Sequence, residues 1–106
     1  MIDKMSFTIG WLQAFADAEG YVGSRGKGRR EIVISNTLEE LLIYYQEGLK
    51  ALGSYSSLCG PYHHTDMPNA TPIYRLRIQR IEDLRKWAKL VGFSHPQKRD
   101  KLESII

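Results

Sequence analysis

Residues 11–22 read WLQAFADAEGYV, and the reading of this stretch decides how the rest of the chain is arranged. Phe7, Trp11, Leu12 and Phe15 recur at helical spacing. They predict a helix from Ser6, a competent N-cap, to about Ala18, with Gly20 as its stop. Ser6, Gly10, Ala14 and Ala18 stand four residues apart on this helix. They form a stripe of small residues along which another helix can approach closely. The stripe suits packing inside the domain as well as packing against a second copy.

The end of this helix is unusual. Asp17 and Glu19 lie where the macrodipole is negative and cations are preferred, at a cost of about 0.3–1 kcal/mol for each carboxylate. A solvated pair tolerates that cost. A divalent-cation site exploits it, because carboxylates and helix-end carbonyls such as that of Ala18 are hard oxygen ligands. Two copies packed through the stripe about a two-fold axis bring two Glu19 side chains to one spot, an arrangement suited to Mg²⁺-assisted phosphodiester hydrolysis.

Working outward, Tyr21–Ser24 reads as a short strand, Arg25–Arg29 as a glycine-bearing turn and Arg30–Asn36 as a β-branched strand. Thr37 is a good N-cap for a helix over Leu38–Leu52, with Glu40 completing a capping box and Gly53 ending it. Tyr55–His64 and Ile73–Gln79 form a second hairpin around the turn-rich TDMPNATP. Ile81–Val91 is a third helix, stopped by Gly92, and Pro96 opens a last one towards Ile106. The order α-β-β-α-β-β-α-α predicts an α+β fold with helices on one face of an antiparallel sheet. Alternation turns Ile32, Ile34, Leu76 and Ile78 inward. It turns Arg29, Glu31, Val33, Ser35, Arg75, Arg77 and Gln79 outward.

A chain of 106 residues accommodates one domain, residues 1–106, with one modest core. Hydrophobic residues at 42% and charged residues at 25% place it among globular chains. The net charge of +3 suits a polyanionic partner without requiring one. Cys59 stands alone, so no intrachain disulfide forms and an intracellular setting is expected. Neither a signal peptide nor a membrane span is recognisable. Cys59, His63, His64 and His95 lack the second paired half that a zinc site needs.

Leu12–Gly20, LQAFADAEG, resembles the LAGLIDADG motif of homing endonucleases. Leu12, Ala14, Phe15, Asp17, Ala18, Glu19 and Gly20 match by identity or accepted similarity. Gln13 departs, standing where a small residue is usual, and Glu19 replaces the commoner Asp. The element order resembles the family's α-β-β-α-β-β-α core, a four-stranded antiparallel saddle. The resemblance implies a single-motif homodimer that joins through Ser6, Gly10, Ala14 and Ala18. It would cut double-stranded DNA at a long pseudo-palindromic site and so serve intron homing.

Residue by residue, the resemblance implies that Glu19 and the Ala18 carbonyl hold Mg²⁺ or Mn²⁺, with Ca²⁺ able to bind without supporting cleavage. Asp17 is then structural. Asn36, ending the second strand, orients the attacking water. Lys98 is the basic residue near the cut phosphate, with Arg99 and Lys101 as alternatives. The outward sheet face sits in the major groove, where arginine can read guanine and glutamine adenine. Tyr21, Gly23, Arg25, Lys27, Arg29 and Glu31 of the first hairpin and Arg75, Arg77 and Gln79 of the second are its candidate contacts, with His63 or His64. A non-cleaving DNA-binding regulator and an RNA-binding intron maturase are the alternatives within the same fold.

Overall fold

The computed structural model describes residues 4–23, 29–63, 65–67 and 69–106, with side chains in the first helix from Thr8 onward. The described elements are α1 (Lys4–Glu19), β1 (Gly20–Gly23), β2 (Glu31–Asn36), α2 (Glu39–Ala51), β3 (Ser57–Tyr62), β4 (Ile73–Ile78), α3 (Ile81–Leu90) and α4 (Pro96–Ile105). The strands form one antiparallel sheet in the order β1-β2-β4-β3, so each hairpin contributes one central and one edge strand. This is the α+β arrangement that the alternation predicts. Among the described residues no helix is long and apolar enough to cross a membrane.

The core forms between the sheet and its helices. Ile32, Ile34, Leu76 and Ile78 are fully buried against Leu12, Leu42, Leu49, Leu84 and Trp87. The helical partners follow from spacing: Leu42, Tyr45 and Leu49 share one side of α2, as Leu84 and Trp87 do on α3. α1 and α2 meet closely because position 48 is glycine. A Cβ there would lie 3.1 Å from Leu12 Cδ2. Trp11, Phe15 and Tyr45 fill the rest of that contact, with ring centroids 5.3 to 5.8 Å apart. The Tyr45 hydroxyl donates to the Leu12 carbonyl at 2.8 Å and accepts from Trp87 Nε1 at 3.3 Å, so one buried oxygen ties α1, α2 and α3 together. Burial pushes its ionisation well above the ordinary tyrosine range.

Several boundaries differ from the sequence reading. Ser6 is not the N-cap, because α1 already begins at Lys4. Gly20 does follow α1 as its stop, and it is at once the first residue of β1, paired with Ile34. Thr37 does not cap α2 and the expected capping box with Glu40 is absent. The N-cap is Leu38, without a side-chain bond, and its N–H is satisfied by Asn36 Oδ1 at 2.8 Å. An Asn two residues before a free N–H forms that turn more directly than the threonine can.

β3 is shorter than Tyr55–His64 at both ends. The Tyr55 N–H is taken by Asp83 at 3.0 Å, so pairing starts only at Ser57. At the other end Pro61 has no N–H to give, and the register shifts between Cys59 and Tyr62. Val33 faces away from the helices as expected, but it is fully buried. Its cross-strand neighbours Tyr21 and Arg77 cover it.

Two predictions follow from this packing. Tyr45→Phe removes the hydroxyl and leaves the buried Trp87 N–H unpaired, which should cost about 1–3 kcal/mol in urea unfolding. Asp83 is 2% exposed and receives Arg80 Nε at 2.6 Å. Burial alone would raise its pKa, but Arg80 and the Tyr55 N–H outweigh burial and hold it below the ordinary carboxylate range. A depressed folded-state pKa contributes stability above the unfolded value and loses it as pH falls through the folded one. Unfolding free energy should therefore fall as pH drops through and below the ordinary carboxylate range, and Asp83→Asn should flatten that fall while lowering stability at neutral pH.

Candidate functional site

α1 passes into β1 without a linker. Glu19 is the last helical residue and Gly20 the first of the strand. Only glycine fits this junction, because a Cβ at Gly20 would lie 2.7 Å from the Ala16 carbonyl oxygen. Pairing of Gly20 with Ile34 then sets the helix end beside the end of β2. Glu19 and Asn36 consequently line one cleft of about 360 Å³, together with Ser35, Thr37 and Ile73. Glu19 is exposed. Asn36 Oδ1 accepts from the Leu38 N–H, which leaves the amide nitrogen of Asn36 to act as a donor.

The neighbouring carboxylate has a different fate. Asp17 accepts from the Ser94 N–H at 3.0 Å, the His95 N–H at 3.2 Å and the Ser94 hydroxyl, holding the turn that leads into α4. Burial pushes its pKa up, but these hydrogen bonds and the charge of Lys98 outweigh burial and keep it below the ordinary carboxylate value. Lys98, in the first turn of α4, donates from Nζ to the Asp17 carbonyl oxygen at 2.5 Å. A cation thus sits against the negative end of α1, where the last carbonyls lack helical partners. Arg99 and Lys101 are exposed on the same helix. Gln13, the departure from the motif, donates to the Val91 carbonyl at 3.1 Å and so ties α1 to the end of α3.

The oxygen donors at this helix end are of the kind that Mg²⁺ prefers. Within one copy they are few. Among the described residues no three His, Cys, Asp or Glu side chains converge, and Asp17 is already committed. Glu19 and the helix-end carbonyl of Ala18 therefore fit a metal in chemistry but not in number. The stripe beside them is open: Gly10, Ala14 and Ala18 are exposed, and a Cβ at Gly10 would meet nothing within 4 Å. These three residues are not used for packing inside the chain. The side chain of Ser6 lies outside the described residues.

The open face of the sheet carries the outward residues named above. Tyr21 is 44% exposed, Gln79 and Arg29 are exposed, and Glu31, Arg75 and Arg77 are half-buried. The Arg75 guanidinium stacks on the Tyr62 ring at 4.9 Å. Arg77 Nη1 donates to both Glu31 oxygens at 3.1 Å, and Gln79 Nε2 to Glu31 Oε1 at 3.2 Å. Arg25, Lys27 and His64 lie outside the described residues, and His63 is exposed past the end of β3. The sequence did not point to Tyr62 or Ser94, nor to the bond from the His95 N–H to Asp17. The aromatic was a visible signal, but the irregular register of β3 hid its face. Ser94 and His95 are far from Asp17 along the chain. On α3, Lys86 bonds the Gly53 carbonyl at 2.8 Å and Arg85 the Ile106 carbonyl at 3.0 Å, so both have structural partners.

Comparison with known proteins agrees with this geometry. The family model for the LAGLIDADG-like domain matches residues 6–92. Over 96% of its length the chain is 30% identical to homing endonuclease I-ApeI of Aeropyrum pernix, covering 42% of that protein. Over 91% of its length it is 34% identical to an uncharacterised protein of Methanocaldococcus jannaschii, covering 36% of that one. The chain thus spans less than half the length of these relatives. No solved structure matches it at a comparable level of significance. With the motif at the helix-to-strand junction, the interleaved hairpins and a family match over most of its length, the chain belongs to the LAGLIDADG family.

Proposed function

We propose that this protein is a sequence-specific double-strand DNA endonuclease in which two copies join through α1 and cut a long pseudo-palindromic site. The observation that carries this reading is the separation of the two carboxylates of the motif. Asp17 is fully engaged within the fold, while Glu19 stands exposed at the end of α1 in a cleft shared with Asn36. The exposed Gly10, Ala14 and Ala18 support the two-copy arrangement, because a smooth, unpacked helix face beside Glu19 allows a second α1 to approach.

The reaction breaks a P–O bond of the DNA backbone by attack of water. Glu19 and the Ala18 carbonyl of each copy would hold Mg²⁺ or Mn²⁺, which supplies Lewis-acid stabilisation of charge at the phosphate. Ca²⁺ would bind without supporting cleavage. The Asn36 amide orients the water, and Lys98 adds positive charge at the helix end. The open sheet face lies in the major groove, with Arg75, Arg77 and Gln79 reaching base edges. Tyr21, Arg25, Lys27, Arg29 and Glu31 line the same face from the first hairpin.

Glu19→Gln keeps the shape of the side chain and removes its charge. Cleavage of a randomised duplex library with Mg²⁺ should cease, while affinity for duplex DNA stays within about threefold, under ~0.7 kcal/mol. A variant that cleaves near the unaltered rate removes Glu19 from the metal site. Wild-type protein that binds but never cuts points to a regulator, and preference for intron RNA to a maturase. Ala14→Leu adds volume to the exposed stripe without touching the core. It should convert dimer to monomer in sedimentation while leaving the circular dichroism spectrum unchanged, and a wild-type monomer that cuts DNA overturns the two-copy arrangement.

A further inference from the structure

The open sheet face holds a second cleft, of about 570 Å³, lined by Arg29, Arg30, Glu31, Tyr62, Arg77 and Gln79 among others. Three arginines line this cleft with one carboxylate, and Arg77 is paired with it. The side chain of Glu31 is only 13% exposed and that of Arg77 22%, so the pair is more enclosed than an ordinary surface ion pair. Glu31 accepts three hydrogen bonds across the sheet, two from Arg77 Nη1 and one from Gln79 Nε2. Its far side is closed by backbone. Gly23 pairs with Glu31, and a Cβ on Gly23 would lie 3.3 Å from Glu31 Cγ and 3.5 Å from Oε2. Glycine at position 23 leaves the space in which this carboxylate lies.

We propose that Glu31 is a specificity-determining positioning residue, which holds Arg77 and Gln79 as a preset pair for reading base edges and restrains Arg77 from phosphate. The inference rests on the DNA-binding reading above. Both hydrogen bonds from Arg77 to Glu31 leave from Nη1, so the Nε–Nη2 edge of the guanidinium is not used by Glu31, while the Tyr62 hydroxyl is a second side-chain partner of the same guanidinium. That edge has the two parallel donors that match O6 and N7 of guanine. Gln79 donates to Glu31 through its amide nitrogen, which fixes the amide orientation. It retains the carbonyl oxygen and a second N–H, the combination that matches adenine.

A lone arginine on a basic face is drawn equally to any phosphate. Moving Arg77 away strands the enclosed Glu31 charge, which is unfavourable. A guanine contact through the edge that Glu31 does not use leaves the pair intact. Glu31 thereby separates base reading from backbone attraction without touching DNA itself.

The test is selection from a randomised duplex pool without added divalent metal, together with affinity for an unrelated duplex at several salt concentrations. Glu31→Gln should raise affinity for the unrelated duplex and steepen the salt slope by about 0.9, one added phosphate contact. It should lower discrimination roughly tenfold at the guanine that Arg77 reads. Glu31→Asp keeps the charge but draws the carboxylate back, so discrimination should fall with the slope unchanged. This second variant also serves if the first fails to fold. In an Arg77→Ala background Glu31→Gln should change nothing further at that base. A full base profile in either Glu31 variant overturns the proposal, as does an equal loss with Arg77 absent, which would make Glu31 a direct contact. Wild-type protein that binds no duplex DNA overturns the functional reading, and this inference with it. Selective wild-type binding with unaltered Glu31 variants overturns the inference alone.

Discussion

The junction between α1 and β1 governs the arrangement of everything around it. Because helix becomes strand at consecutive residues, the direction of α1 and the register of the first hairpin are a single geometric choice. Gly20 must be bare to pass the Ala16 carbonyl and must also pair with Ile34. Those two requirements together bring Glu19 to the end of β2. The same choice lays Leu12 and Ala16 on the core side of α1 and leaves Gly10, Ala14 and Ala18 outside. Core, cleft and open helix face are therefore coupled through one turn, and a change of register at this point would disturb all three.

Two carboxylates of similar intrinsic acidity, two residues apart, receive opposite treatment from the fold. Asp17 is surrounded by donors from the turn before α4 and is lost to outside chemistry. Glu19 is exposed and lines a solvent-facing cleft. The field of the helix end acts on both, and the difference comes from local hydrogen bonding. The sheet shows a parallel case. Arg75 is held by an aromatic ring and Arg77 by a carboxylate, so two arginines on one strand enter any interaction with different mobility and different effective charge.

The helices and strands were legible because apolar periodicity is strong where the core is densest, as at Leu42, Tyr45 and Leu49. Their ends were less so. Thr37 has the chemistry of a cap, yet Asn36 bonds the Leu38 N–H, a competition between adjacent residues that composition does not resolve. Val33 shows the limit of alternation: facing direction is set by the pleat, but burial depends on which side chains flank it across the sheet. Glu19 and Asn36 could be named from the motif and the strand end. The bonds of Arg77 to Glu31 could not, because they require the order β1-β2-β4-β3, in which strands distant along the chain become neighbours.

The family match ends at residue 92, and α4 begins beyond it, at Pro96. Yet Ser94, His95 and Lys98 all bind Asp17, inside the motif itself. The portable unit is therefore larger than the shared pattern suggests. Transplanting the motif and its two hairpins into another scaffold, and stopping where the pattern stops, would carry Asp17 into its new host without the groups that neutralise it. A chimaera joined after α4 would take that compensation along, so the natural seam for recombining this architecture lies past a helix that family resemblance alone would leave behind.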